Sequence, residues 1–215
     1  MVTTVSKNEN VYYVWVFGLN IVLLLQFLNT TKRMDYIKTD IEGVYILEPR
    51  VFNDARGYFM EAWKRDEFIE HVGQVDFIQD NESKSSYGVL RGLHYQKGEL
   101  AQAKLVRVIK GRVLDVAVDV RKSSPTFGKY VAVELSEDNK RQFFIPRGFA
   151  HGFLVLSDEA IFTYKVDNVY APKAEAGIRW NDPTVGIDWP IAAENVVLSE
   201  KDTKAPFLKD AEVFD

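Results

Sequence analysis

Apolar positions in this chain fall into short runs separated by turn residues, several of them strictly alternating, with a helical period in one short stretch. Residues 44–47 lead into Glu48-Pro49, and the pattern resumes over 104–109 and 112–120, which flank a Lys110-Gly111 turn and read as a hairpin. In the second of these runs Asp115, Ala117 and Asp119 share one face, opposite Leu114, Val116, Val118 and Val120. Further strands are expected over 130–135, 142–145, 152–156 and 161–166, and one short helix over 66–72, stopped by Gly73. Strands at regular spacing, with no long helices between them, predict an all-β antiparallel sandwich or barrel such as a jelly roll.

The N-terminal stretch of this pattern is different. Residues 11–28 are nearly all apolar, interrupted by Gly18, Asn20 and Gln26, and Lys32-Arg33 follow. This barely reaches the span of a membrane helix. The expected organisation is therefore an apolar extension over 1–33 and a globular domain over 34–215. Two readings of the extension stand: a membrane anchor, or an upstream stretch joined to the chain because its start was assigned too early. The short, polar-interrupted run favours the second, and membrane association is expected only under the first.

Composition narrows the chemistry. A 215-residue chain, 47% hydrophobic, can bury one substantial core. Its 27 basic and 31 acidic residues are interspersed, leaving a net charge of -4 and no broad footprint for nucleic acid, so an anionic ligand needs a local arginine cluster. The lack of cysteine removes thiolate nucleophiles, disulfides and cysteine-bound metals, and suits a reducing cytosol. Three histidines, at 71, 94 and 151, are the whole supply of imidazole.

Two of them sit in glycine-flanked stretches: Gly88-Val89-Leu90-Arg91-Gly92-Leu93-His94-Tyr95-Gln96 and Pro146-Arg147-Gly148-Phe149-Ala150-His151-Gly152-Phe153. Such glycines suit a close approach of backbone to a ligand, or equally a tight strand corner. A third stretch, Phe52-Asn53-Asp54-Ala55-Arg56-Gly57-Tyr58-Phe59-Met60-Glu61, reads as a turn between strands.

The order of these stretches resembles the dTDP-4-dehydrorhamnose 3,5-epimerase family. The matching pieces run through Asp54-x-Arg56-Gly57, Gln79-Asp80-Asn81-x-Ser83, Val89-Leu90-Arg91-Gly92-Leu93-His94-x-Gln96 and Lys104-Leu105-Val106. They continue through Asp115-Val116-Ala117-Val118-Asp119, Ser124-Pro125-Thr126-Phe127-Gly128, the run around His151, Tyr164-Lys165, Trp180-Asn181-Asp182 and Leu198-Ser199-x-Lys201-Asp202. The resemblance spans residues 34–208, and the extension has no counterpart in it.

It implies a cupin-type jelly roll, a homodimer, no cofactor and no metal, and a dTDP-4-keto-6-deoxy sugar as substrate. It also implies His94 as base with Asp202 behind it, Lys104 at the C4 oxygen and Tyr164 as the acid on the opposite face. Arg56, Arg91 and Lys201 are implied for the phosphates, Glu61, Gln79, Asp80 and Asn81 for base and sugar, His151 and Glu175 around the ligand, and Tyr170 stacked on thymine. Asp115 and Asp119 are read as mainly structural, paired with arginines. A metal-dependent cupin is the rival of another class, yet His94 is followed by Tyr95-Gln96 rather than by a second imidazole. A silent nucleotide-sugar binder and an epimerase acting at one carbon alone are the others.

Overall fold

Residues 5–8, 11–16, 19–20 and 33–215 are described by the computed structural model of the chain. In chain order the strands are β1 (Val5–Asn8), β2 (Val11–Val16), β3 (Leu19–Asn20), β4 (Met34–Lys38), β5 (Tyr45–Pro49), β6 (Val51–Asp54) and β7 (Gly57–Met60). After helix α1 (Arg65–His71) come β8 (Gln79–Ser86), β9 (Leu90–Gln96), β10 (Lys104–Lys110), β11 (Arg112–Asp119) and β12 (Tyr130–Ser136). The chain continues through β13 (Gln142–Ile145), β14 (Phe149–Val155), β15 (Glu159–Val166), β16 (Glu175–Gly177) and helix α2 (Glu200–Thr203).

The chain divides into two compact units, Met1–Asp35 with Pro49–Ala62, and Tyr36–Glu48 with Trp63–Asp215. The first holds β1, β2 and β3 as an antiparallel meander and β6 and β7 as a hairpin. The apolar run expected over 11–28 is partly strand, at β2 and β3, and its remainder, with the anchor expectation, lies outside the described residues. Among the described residues no helix is long and apolar enough to cross a membrane.

The second unit is an antiparallel jelly roll. One sheet has the order β4-β5-β13-β10-β15-β8, and the other β12-β11-β14-β9-β16. Their facing sides form the main core: Val106 and Val108 of β10, Phe143 and Ile145 of β13 and Phe162 of β15 meet Val113, Ala117, Phe149, Phe153 and Val155 of β11 and β14. The far side of the second sheet is covered as well, with Val116, Val118, Leu93 and Tyr95 packed under Ile178, Val185, Leu208 and Phe214. Burial of both faces explains the alternation in β11: its apolar row meets the C-terminal segment, while Asp115 and Asp119, both fully buried, point between the sheets.

That segment is tied down by hydrogen bonds. Asp182 accepts from the backbone N–H of Leu208 at 2.5 Å, Tyr95 donates its hydroxyl to the carbonyl of Glu212 at 2.6 Å, and Phe214 exchanges backbone bonds with Val120 and Lys122.

The 104–109 and 112–120 runs are strands but not a hairpin. β10 pairs with β13 and β15, and β11 with β12 and β14, so the chain changes sheets at Lys110-Gly111. Gly111 makes the corner with φ +80°, and a Cβ there would lie 2.0 Å from the carbonyl oxygen of Glu159. A short turn between two alternating runs signals a hairpin only when the strands lack better partners, and each of these is flanked on both sides.

Close approach of β9 and β14 is the other glycine-dependent feature. A Cβ on Gly152 would stand 2.7 Å from the carbonyl oxygen of Arg91 and 3.0 Å from the Cα of Gly92, at the point where the β9–β14 register shifts. Gly152→Ala is therefore expected to destabilise the protein by about 1–3 kcal/mol through overpacking, read as a lowered urea midpoint. An unchanged midpoint would show that the two strands separate without strain.

Candidate active site

Where the main core stops, the sheets enclose a cavity of about 440 Å³. Ser83, Lys104, Phe162 and Tyr164 line it from the first sheet, and Leu90, Arg91, His94, His151 and Phe153 from the second. The segment Val197–Asp202 closes one side. Each side chain arrives there by strand parity: Lys104 shares the inward row of β10 with Val106 and Val108, Tyr164 that of β15 with Phe162, and His151 that of β14 with Phe149 and Phe153.

His94 lies on β9, and its ring Nε2 stands 2.5 Å from Oδ1 of Asp202. Asp202 reaches it through two local devices. Val197 bonds to the backbone on either side of Val89, and Ser199 then caps α2 by accepting the N–H of Asp202 at 3.2 Å. Burial raises the Asp202 carboxyl, but the hydrogen bond from His94, with Ser199 and Lys201 in support, holds it below the usual carboxylate range. An ionised Asp202 accepts the hydrogen bond of Nε2–H and so leaves the lone pair of His94 on Nδ1.

His151 pairs in register with His94 across β9 and β14. It too is held by a carboxylate: its Nε2 lies 2.9 and 3.0 Å from the two oxygens of Asp115. Asp115 thus bonds to an imidazole and not to an arginine, whereas Asp119 does pair with Arg121, at 2.7 Å, and with Ser124 and Thr126. This face of β11 points between the sheets, which brings the Asp115 carboxylate to His151.

Lys104 is half-buried on the central strand β10. Desolvation pulls its ammonium down to about 8, Asp115 and Glu175 push it back up, and Lys201 adds to the fall. On the neighbouring strand, Tyr164 has its phenol raised by burial, with Arg91 opposing and Tyr170 adding to the rise. His94 and Tyr164 therefore present an imidazole and a phenol to one cavity from different sheets.

The remaining expected residues fall into three groups. At the rim, Glu175 bonds to Lys201 and accepts the Tyr170 hydroxyl at 3.1 Å, while exposed Arg91 donates Nε to Ser85 at 3.0 Å. On β8, Asn81 faces the same side as Tyr164 and accepts from Gln79 at 2.7 Å; Asp80 is on the opposite face, bonded to Lys165 at 2.9 Å. Arg56 and Glu61 belong to the other compact unit, where Arg56 tips the β6–β7 hairpin, its side chain 90% exposed and paired with Asp54. Among the described residues no three His, Cys, Asp or Glu side chains converge as ligands for a metal ion. Asp115, Phe153, Phe162, Leu198 and Ser199 were not singled out from sequence as site residues; a carboxylate inside an otherwise apolar strand was the signal for the first.

The family model described as dTDP-4-dehydrorhamnose 3,5-epimerase matches residues 38–210. The dTDP-4-dehydrorhamnose 3,5-epimerase of Shigella flexneri is 57% identical over 182 residues, covering 84% of this chain and 99% of that protein. A similar structure is that of dTDP-6-deoxy-D-glucose-3,5-epimerase from Legionella pneumophila in complex with dTDP-4-keto-L-rhamnose, with TM-score 0.79 and 50% identity over 82% of this chain and 94% of that one. A 3'-monoepimerase from Streptomyces bikiniensis in complex with dTDP-quinovose aligns with TM-score 0.76 and 35% identity, covering 80% of this chain and 87% of its own. Sequence and fold thus converge around a cavity that holds a carboxylate-backed imidazole and a phenol, and the chain belongs to the dTDP-4-dehydrorhamnose 3,5-epimerase family.

Proposed function

We propose that the cavity converts dTDP-4-dehydro-6-deoxy-D-glucose to dTDP-4-dehydro-L-rhamnose by inverting C3 and C5 in turn. The observation that carries this reading is the placement of His94 and Tyr164 on opposite sheets of one cavity, with Asp202 behind the imidazole. Both carbons flank the C4 carbonyl, so one oxyanion site serves both.

His94 Nδ1 takes the proton from carbon, and the bonding pair moves into the carbonyl to give an enolate. An imidazole is a weak base for removing a proton from carbon, so the enolate needs strong stabilisation. Lys104 supplies it as an ammonium beside the oxygen, in a site largely screened from water. The Tyr164 hydroxyl then protonates the opposite face of the carbon, leaving a phenolate and an imidazolium that reset by exchange with solvent. A base and an acid on the same face would return the original configuration.

Arg91 and Lys201 at the rim suit the diphosphate, with Lys201 exchanging Glu175 for phosphate oxygens, and Arg56 is assigned to the same group. Gln79 and Asn81 are assigned to base and sugar together with Glu61, Tyr170 to stacking on the base, and His151 and Glu175 to the bound sugar. Asp80 supports this edge through Lys165. A homodimer belongs to the same reading: Tyr58 and Phe59 are 53% and 66% exposed on the hairpin that carries Arg56, and suit cover by a second copy.

Incubation with the substrate in deuterated water is expected to place label at both C3 and C5. Label with inversion at one carbon would make the chain a single-site epimerase, and no label a binder. His94→Ala is expected to abolish uptake at both positions while the protein stays folded, and near-normal exchange would remove His94 as the base. Tyr164→Phe should suppress inversion more than the first proton abstraction, measured as product formed against label washed into recovered substrate; equal losses would count against its acid role.

A further inference from the structure

The cavity holds a second carboxylate–imidazole pair, His151 with Asp115, and the scheme above gives its carboxylate no task. Asp115 is 0% exposed, lies on the inward row of β11, and directs both oxygens at Nε2 of His151. His151 is itself 7% exposed and lines the cavity beside Lys104. A buried carboxylate of this kind is costly unless it is paired, and here it stands among groups that meet the sugar.

We propose that Asp115 is a positioning residue of the active site, fixing which ring nitrogen of His151 carries the proton and serving as the counter-charge to Lys104. This rests on the epimerase reading of the cavity. A neutral imidazole whose Nε2 faces a carboxylate keeps its hydrogen there and leaves a lone pair on Nδ1, so His151 meets the substrate as a hydrogen-bond acceptor for a sugar hydroxyl. Burial favours that neutral form, against the pull of Asp115. With His151 neutral, the Asp115 carboxylate is balanced by the Lys104 ammonium, and the interior pair carries no net charge.

The charged groups around Lys104 fix the sign of the effect. Asp115 from β11 and Glu175 from β16 hold its proton on, and Lys201 from α2 opposes them. His151 from β14 and Tyr164 from β15 share the cavity wall as neutral groups, and the β13 residue paired with Lys104 is Ile145, which carries no charge. Desolvation already brings Lys104 to about 8. Without Asp115 it releases its proton at lower pH, and the oxyanion loses its partner.

The test is Asp115→Asn, which keeps the shape but lets either orientation of the amide meet Nε2. In wild type kcat is expected to fall as pH rises through about 8. In the variant that alkaline limb is expected to move down by about one pH unit, with kcat lowered at least about tenfold at its optimum and an unchanged melting curve. A limb and kcat matching wild type would overturn the proposal. Nitrogen-15 NMR of the wild-type imidazoles supplies a reading that requires no turnover and no variant: His151 is expected as the Nε2–H tautomer at pH 7, and a Nδ1–H tautomer or an imidazolium would equally overturn it. If wild type fails to turn over the substrate, the epimerase reading falls, and the NMR result still decides the tautomer that Asp115 imposes.

Discussion

An ionisable side chain placed between two packed sheets has to find a partner of opposite charge or a hydrogen-bond donor, and this requirement organises the cavity end of the jelly roll. Asp202 is matched to His94, Asp115 to His151 and Lys104, and Glu175 to Lys201 and Tyr170. Even Asp119, at the far end of the same strand face, is closed off by Arg121, Ser124 and Thr126. Partners fixed in advance are what an enolate-forming site needs, because dipoles and charges already in place do not have to reorganise as charge develops on the sugar oxygen.

The apolar half of this arrangement was legible in the residues. The pattern of apolar runs located β10 to β15 to within about three residues at each end, and helix α1 to within one, while the short α2 gave no signal. What alternation concealed was the destination of each face. β11 reads like a half-exposed strand, yet its charged row is interior and its apolar row is covered by residues that follow far later in the chain. β8 gave no strand signal because Asn81, Ser83 and Ser85, on its inward row, are polar: Ser83 lines the cavity and Ser85 accepts from Arg91.

Of the site, the two glycine-flanked histidines were visible as candidates, but chemistry alone left them open between ligand contact and strand corner. In the structure both histidines line one cavity and both flank a close approach of strands. Gly92 and Gly152 bring β9 and β14 into close contact, and it is that contact which aligns His94 with His151 on one wall. Asp202 was within reach only through the resemblance, since 108 residues separate it from His94 and no local pattern links them.

That separation also sets an order of events during synthesis. His94 lies on β9, whereas Asp202, and the tethered stretch that roofs the outer face of the second sheet, leave the ribosome much later. A nascent chain can pair its central strands early, but until residues 178–214 emerge it exposes Val116, Val118 and Leu93 as an uncovered greasy surface. Chains truncated by a stop codon before residue 178 would therefore lack both the Asp202 partner of His94 and a closed exterior, which makes them substrates for quality control.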